Sequence, residues 1–258
     1  MAQQKNNRPA FFPSPELADE TGFLVEDARI DRERILDAYQ HAIFPWPYLE
    51  PESQWIVGWY SPHPRAVLKL DELRVPKRLM RKLRSGKFYF SFNQSFERVL
   101  YHCRTVGGRQ QEAWLMPRLA EELQGLHEEG TACSLEVYDA TDYSAQELCG
   151  GVYGLSIGQA FCAESMFYLN PDASKAAIVA LVRILRDSDY QLLDIQTPSM
   201  HMTNLGATLI SRGELHKSLE RNCRRNELAK WESRDFFTWS DLALDCRLPK
   251  PEQPYFIW

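Results

Sequence analysis

A chain of 258 residues is long enough for one large domain, or for a full catalytic domain with a small companion. With 44% hydrophobic and 25% charged residues it has a globular composition, and no apolar run nears the roughly 18 residues of a membrane span. The net charge of −5 argues mildly against a nucleic-acid partner, but a polyanion senses charge only within about 8 Å at physiological salt, so distribution decides. The polar start from Met1 to Asn7, with no apolar stretch behind it, predicts no secretory leader and a cytoplasmic location. The six cysteines form no Cys-x-x-Cys pair and the six histidines no His-Glu-x-x-His spacing, so neither a metal site nor a disulfide framework is expected. Cys133, Cys149 and Cys162 read as small core residues in apolar strands.

The first twenty residues are polar and broken by Pro9, Pro13 and Pro15. Asp31–Ala42 then reads as a short helix with Ile35, Ala38, Tyr39 and Ala42 on one face. The Pro-, Trp- and Tyr-rich stretch 44–64 is expected to be mostly loop or short strand, and Ala66–Leu70 a strand. Pro76–Arg84 reads as a basic helix, Phe88–Phe92 as a strand, Gln94–Cys103 as a helix, and Pro117–Glu129 as a helix closed by Gly130. Three strands follow: Ala132–Tyr138, Leu148–Ile157 with the pair Gly150-Gly151, and Gln159–Phe167. Asp172 is placed to cap a helix over Ala173–Arg186, and Tyr190–Gln196 is the next strand. That order predicts an α+β fold, a helix covering one face of a largely antiparallel sheet. A boundary near residue 62 divides a small N-terminal α+β domain (1–62) from the main domain (63–230), and the tail (231–258) has no assigned role.

Three segments carry candidate chemistry. In a strand through Leu193-Asp194-Ile195-Gln196, Asp194 and Gln196 would share one face about 6–7 Å apart; on pattern alone, a strand-end pair meeting water is the simpler reading. Glu164 is a single carboxylate in the apolar run Cys162–Phe167, where an unpaired buried charge is expensive; it is therefore either paired or functional. Arg74, Lys77, Arg78, Arg81, Lys82, Arg84 and Lys87 put seven cations in fourteen positions with no acid between them, a patch able to displace counterions from a phosphate backbone. Charge runs are more often plain solvated faces, yet an uncompensated one in an acidic chain favours nucleic acid. The helix after Asp172 supplies Ile178, Leu181 and Leu185, first of all as core.

Several blocks now fall in one order: Phe44-Pro45-Trp46, Ser61-Pro62, Pro64-Arg65-Ala66-Val67-Leu68, Ser134-Leu135-Glu136-Val137 and Gly150-Gly151-Val152-Tyr153-Gly154. Glu164-Ser165-Met166-Phe167, Ala173-Ser174-Lys175, Asp194-Ile195-Gln196, His201 and Leu205-Gly206-Ala207 complete the series. From about residue 12 to residue 212 the chain resembles the leucyl/phenylalanyl-tRNA-protein transferases. The resemblance implies a small N-terminal domain, a GNAT-like acyltransferase domain, no metal and no coenzyme. It implies an aminoacyl-tRNA donor, an acceptor protein beginning with Lys or Arg, and a product marked for degradation.

Carried over by matching position, Gln196, Asp194 and Glu164 take the family's catalytic roles, and Trp46, Trp114 and Tyr39 lie near the tRNA 3′ end. Lys77, Arg78, Arg81, Lys82 and Arg84 take the tRNA backbone. Val152, Phe161, Ile178, Leu181, Leu185 and Leu193 are expected to line the aminoacyl side-chain pocket. The reaction implied is aminolysis of an ester, with Gln196 orienting the attacking amine and Asp194 orienting Gln196. The chain departs from the family pattern at Asp27-Ala28-Arg29-Ile30, His63, Ala163, Asp172 and Cys133; were Asp172 and Cys133 near the site, specificity could shift to arginyl transfer onto acidic N-termini. A coenzyme-A-dependent acyltransferase would need a Gly-rich loop where Tyr168-Leu169-Asn170-Pro171-Asp172 has none, and a non-catalytic tRNA- or N-terminus-binding protein is the remaining rival.

Overall fold

In the computed structural model, which describes residues 9–50, 54–107, 115–142, 147–220 and 236–244, the aromatic stretch after residue 44 is ordered strand rather than loop. Strand β1 (Phe23–Asp27), helix α1 (Arg32–Gln40), β2 (Phe44–Leu49) and β3 (Trp55–Tyr60) form a three-stranded antiparallel sheet in the order β1-β3-β2. Asp31 starts α1 by accepting the Arg34 backbone N–H at 2.9 Å. Ala42, at φ 61, turns the chain out of the helix into β2.

The chain then enters an eight-stranded sheet with β4 (Arg65–Lys69), followed by α2 (Lys77–Arg84), β5 (Phe88–Phe92), α3 (Phe96–Thr105) and α4 (Pro117–Glu128). Strands β6 (Ala132–Asp139), β7 (Leu148–Ile157) and β8 (Ala160–Tyr168) form its centre. After them come α5 (Ala173–Asp187), β9 (Leu192–Asp194), α6 (Met200–Thr203), β10 (Thr208–Ile210), α7 (Arg212–Leu219), β11 (Phe237–Thr238) and α8 (Trp239–Leu244). The strand order is β10-β4-β9-β8-β7-β6-β5-β11. Every neighbouring pair is antiparallel except β8 and β9, whose parallel pairing needs the long crossover that α5 provides. The described part of the tail is not idle: Phe237 pairs with Phe90 at the sheet edge and Leu242 is fully buried.

Both faces of this sheet are covered. On one lie α1, α3, α4 and the small sheet, sharing Ile35, Tyr39, Trp59, Val99, Leu123 and Tyr153 in one core cluster. On the other lie α2 and α5, whose Leu79, Leu83, Ile178 and Leu181 pack with Phe90 and Val137. The glycines of β7 allow this close layering, since a Cβ on Gly150 would stand 2.7 Å from Ala173 Cβ.

Three expectations change. The strand expected over Tyr190–Gln196 ends at Asp194, and Gln196 lies beyond it at φ 59, so Asp194 and Gln196 do not alternate along one strand. Asp172 does not cap α5 with its side chain; it adopts φ 75 and turns its carboxylate to Lys82. Glu164 is not a regular strand residue either. Tyr153 pairs with Ser165 and Gly154 with Ala163, leaving Glu164 as the extra residue of a β-bulge.

Candidate functional site

The bulge is the first element of the site. A bulge bends its strand and re-aims one side chain, and here it needs room on the partner strand. Gly154 gives that room: a Cβ there would stand 2.1 Å from the Cys162 carbonyl oxygen. Glu164 is thereby turned towards Gln196, whose Nε2 donates to Glu164 Oε1 at 3.0 Å. The Tyr39 phenol, buried at the end of α1, also donates to Glu164. Burial pushes the Glu164 carboxyl up to about 7; the Tyr39 hydrogen bond opposes this, the nearby Asp194 charge adds to it and Arg65 offsets part of it.

A carboxylate only accepts hydrogen bonds, so it fixes which end of the Gln196 amide faces it. The NH2 group turns to Glu164, which leaves Oε1 as the end of the amide not engaged by that carboxylate. The Gln196 backbone is held as well, its N–H donating to Asp194 Oδ1 at 3.0 Å. Asp194 is 1% exposed and forms a forked pair with Arg65 at 2.9 and 2.8 Å, with the Cys162 thiol as a further donor.

Glu164 and Gln196 line a cleft of about 550 Å³, within the range of small-molecule sites. Phe44, Pro45 and Trp46 of β2 form one wall; Val152, Met166, Ile178, Ile195 and Met202 form an apolar recess. Ser165, Thr197 and Ser199 supply hydroxyls. Trp46 is 53% exposed at the cleft, its ring set edge-on to Phe44.

The structure sorts the sequence candidates. Gln196, Glu164, Trp46, Val152 and Ile178 line the cleft. Asp194 lies beneath it, as a support for Gln196. Tyr39 is buried at the end of α1, as a partner of Glu164. Trp114 lies outside the described residues. Phe161, Leu181, Leu185 and Leu193 sit in the core between α5 and the sheet and do not line the cleft. Cys133 and Asp172 do not line it either: Cys133 is fully buried, and Asp172 pairs with Lys82 and Lys175. Sequence reasoning missed Phe44, Met166, Ile195 and Met202 as lining residues, and Arg65 as the buried partner of Asp194. The signal for Arg65 was present, since a charge heading the apolar run Ala66-Val67-Leu68 needs a partner as much as Glu164 does.

On α2, Leu79 and Leu83 are buried, which turns Lys77, Arg78, Arg81 and Arg84 outward. Lys82 is half-buried and committed to Asp172, whose carboxyl lies below the usual carboxylate range chiefly because of that bond. Among the described residues no group of three or more His, Cys, Asp or Glu could hold a metal ion, and no helix is long and apolar enough to cross a membrane.

Comparison with known proteins matches this architecture to a family. Residues 28–63 match the leucyl/phenylalanyl-tRNA protein transferase N-terminal domain, and residues 67–220 match leucyl/phenylalanyl-tRNA protein transferase. A curated leucyl/phenylalanyl-tRNA-protein transferase of Legionella pneumophila (strain Corby) is 37% identical over 209 residues, covering 81% of this chain and 90% of the relative. Proteins of the same name from Oleidesulfovibrio alaskensis and Anaeromyxobacter dehalogenans are 35% and 39% identical over 228 residues each, covering 88% and 87% of this chain and 90% and 94% of theirs. The structure of L-PGS from Bacillus licheniformis overlays at a TM-score of only 0.33 with 12% identity, covering 72% of this chain and 57% of that one, and bears on neither fold nor function. The class is thus an enzyme, an aminoacyltransferase. Within that class, the chain belongs to the leucyl/phenylalanyl-tRNA protein transferase family.

Proposed function

We propose that this protein moves Leu or Phe, with Met as a third donor, from charged tRNA to the N-terminal amine of proteins that begin with Lys or Arg, marking them for degradation in the cytoplasm. The observation that carries this reading is the Gln196 amide, its NH2 held by Glu164 beside an apolar recess, so that its acceptor oxygen is the end left to face a ligand. The main domain, with α5 crossing between the parallel strands β8 and β9, is assigned a GNAT-like acyltransferase architecture.

In the proposed reaction the nitrogen of the acceptor's α-amine attacks the aminoacyl carbonyl carbon, forming the amide bond. The ester C–O bond breaks, the 3′-terminal ribose oxygen leaves as an alcohol, and the amine gives up one proton. The ester is already activated, so holding amine and carbonyl in line supplies much of the rate. Gln196 Oε1 accepts a hydrogen bond from the amine and points its lone pair at the carbonyl; as a poor base it orients rather than abstracts. The recess around Met166, Ile178, Ile195 and Met202 takes the Leu or Phe side chain. Trp46 offers a face for the terminal adenine, a contact available to any base. The outward cations of α2 take the tRNA backbone. Glu164, the one carboxyl lining the cleft among the described residues, favours a cationic acceptor side chain. An arginyl donor is disfavoured by the apolar recess, and an acidic acceptor by Glu164.

The test is transfer from tRNA charged separately with labelled Leu, Phe, Met or Arg to peptides beginning with Arg, Lys, Asp or Glu. Label moving from Leu or Phe to the Arg and Lys peptides is the expected result. Arginine moving to acidic peptides would reverse the specificity, and tRNA binding with no transfer would reduce the protein to a binding module.

A further inference from the structure

We propose that Arg65 is a positioning residue for the transfer reaction, holding from below both partners of the Glu164–Gln196 hydrogen bond. The inference rests on the function proposed above.

The guanidinium is 1% exposed and uses its whole fork. Nε and Nη2 grip the two oxygens of Asp194 at 2.9 and 2.8 Å. Asp194 Oδ1 in turn accepts the Gln196 backbone N–H at 3.0 Å, just where Gln196 turns through φ 59. A positive φ costs a non-glycine residue energy, so that turn persists only where its surroundings hold it. Arg65 therefore secures Gln196 through Asp194.

The third nitrogen reaches the other partner. Nη1 donates to the Ala42 carbonyl at 3.2 Å, and Ala42 is the positive-φ residue that ends the turn after α1. Tyr39, three residues earlier on the same helix end, donates to Glu164. The ring of Phe44, two residues beyond Ala42, lies 4.8 Å from the guanidinium and forms part of the cleft wall. One side chain of the large sheet thus fixes the corner of the small domain that presents Tyr39 and Phe44, as well as the carboxylate that holds Gln196.

Stability alone does not account for the arrangement. A buried ion pair loses in desolvation much of what it gains in attraction, and apolar residues of similar size often do as well. What a guanidinium offers is three directed donors in a rigid plane, which the point charge of a lysine does not reproduce.

The decisive experiment is a double-mutant cycle for transfer by the full chain, using R65K, Q196A and R65K/Q196A. The expected result is that R65K lowers kcat by roughly tenfold or more, with KM for the aminoacyl-tRNA and the melting temperature close to wild type, but changes the residual rate of Q196A by less than about twofold. Should R65K fold poorly, R65M/D194N removes both charges and leaves no unpaired ion; it is expected to melt near wild type and still to lose kcat. Independent, additive losses in the cycle overturn the inference, as does either folded variant with a wild-type kcat. Wild-type protein that transfers nothing overturns the function itself, an outcome read from the wild type and distinct from any variant's behaviour.

Discussion

Two carboxyl groups stand in the same sheet on either side of β7, Glu136 on β6 and Glu164 on β8, and burial pushes both up to about 7. Glu136 is fully buried and enclosed by donors: the Ser91 and Ser134 hydroxyls, each at 2.5 Å, and the backbone N–H groups of Gln94 and Ser95 at the start of α3. Glu164 has two donors, Gln196 and Tyr39, and an open cleft in front of it. The first network ties β5, β6 and α3 together; the second holds the Gln196 amide at the cleft. A raised pKa by itself does not mark a site; a raised pKa beside an open cavity does. Both residues lie in blocks of the family signature, so presence in a signature block does not separate the two roles either.

Substitution separates them most sharply. Glu164→Ala frees the Gln196 amide and is expected to cut transfer by about 100-fold or more, since misaligning a reacting group costs that much. Glu136→Gln keeps the side chain's shape but sets an NH2 against one backbone N–H, so it is expected to melt lower while leaving kcat within about twofold of wild type. Steady-state transfer by the two purified variants checks this; equal losses would erase the distinction.

The pH dependence divides in the same way. Each carboxyl holds its proton more tightly in the folded state than in the unfolded chain, so its contribution to stability is full below the unfolded value of 4.5 and is lost as pH rises through about 7. Wild-type protein should therefore melt lower at pH 8 than at pH 5, with Glu136→Gln removing a part of that slope worth on the order of 3 kcal/mol. Activity should run the opposite way for Glu164. Protonated, it can donate to the amide and let it turn over, so kcat should rise through about pH 7, and Glu136→Gln should leave that rise in place.

The smallest effects belong to the surface. Lys77→Ala with Arg81→Ala removes two exposed cations and should weaken tRNA binding about tenfold at low salt while lowering the salt slope by roughly two. Asp172→Asn should act in reverse, freeing Lys82 and Lys175 from their counter-charge and tightening binding by about threefold. Salt titrations of tRNA binding measure both; an Asp172→Asn variant that binds no better would show that Lys82 is never released to the RNA.

Much of the large sheet was legible because its strands and α5 carry long apolar patterns that leave little choice of element. The small sheet was less so: Pro45, Pro47 and the aromatic residues of 44–60 read as loop, yet β3 pairs on both sides and draws β2 into order. In the site, the residue types at Glu164, Asp194 and Gln196 could be singled out, but not their geometry. The bulge depends on Gly154 meeting the Cys162 carbonyl across the β7–β8 hairpin, a contact with no periodic trace. The left-handed turn at Gln196 depends on Asp194 and Arg65, 129 residues apart in sequence. Of the six residues expected in the pocket, Val152 and Ile178 line the cleft and four do not: the apolar spacing of α5 identifies what is buried, and of that helix only Ile178 reaches the cleft.

The central claim is that the Gln196 amide, with its NH2 held by Glu164, aligns the acceptor amine. Its most direct test is single-turnover transfer of labelled Phe from Phe-tRNA to an Arg peptide by wild type and Gln196→Ala, with tRNA affinity and melting temperature measured on the same samples. The account predicts a single-exponential wild-type reaction and a variant rate constant lower by about 100-fold, with affinity and melting temperature unchanged. A Gln196→Ala rate equal to wild type would contradict it and remove the amide from the reaction.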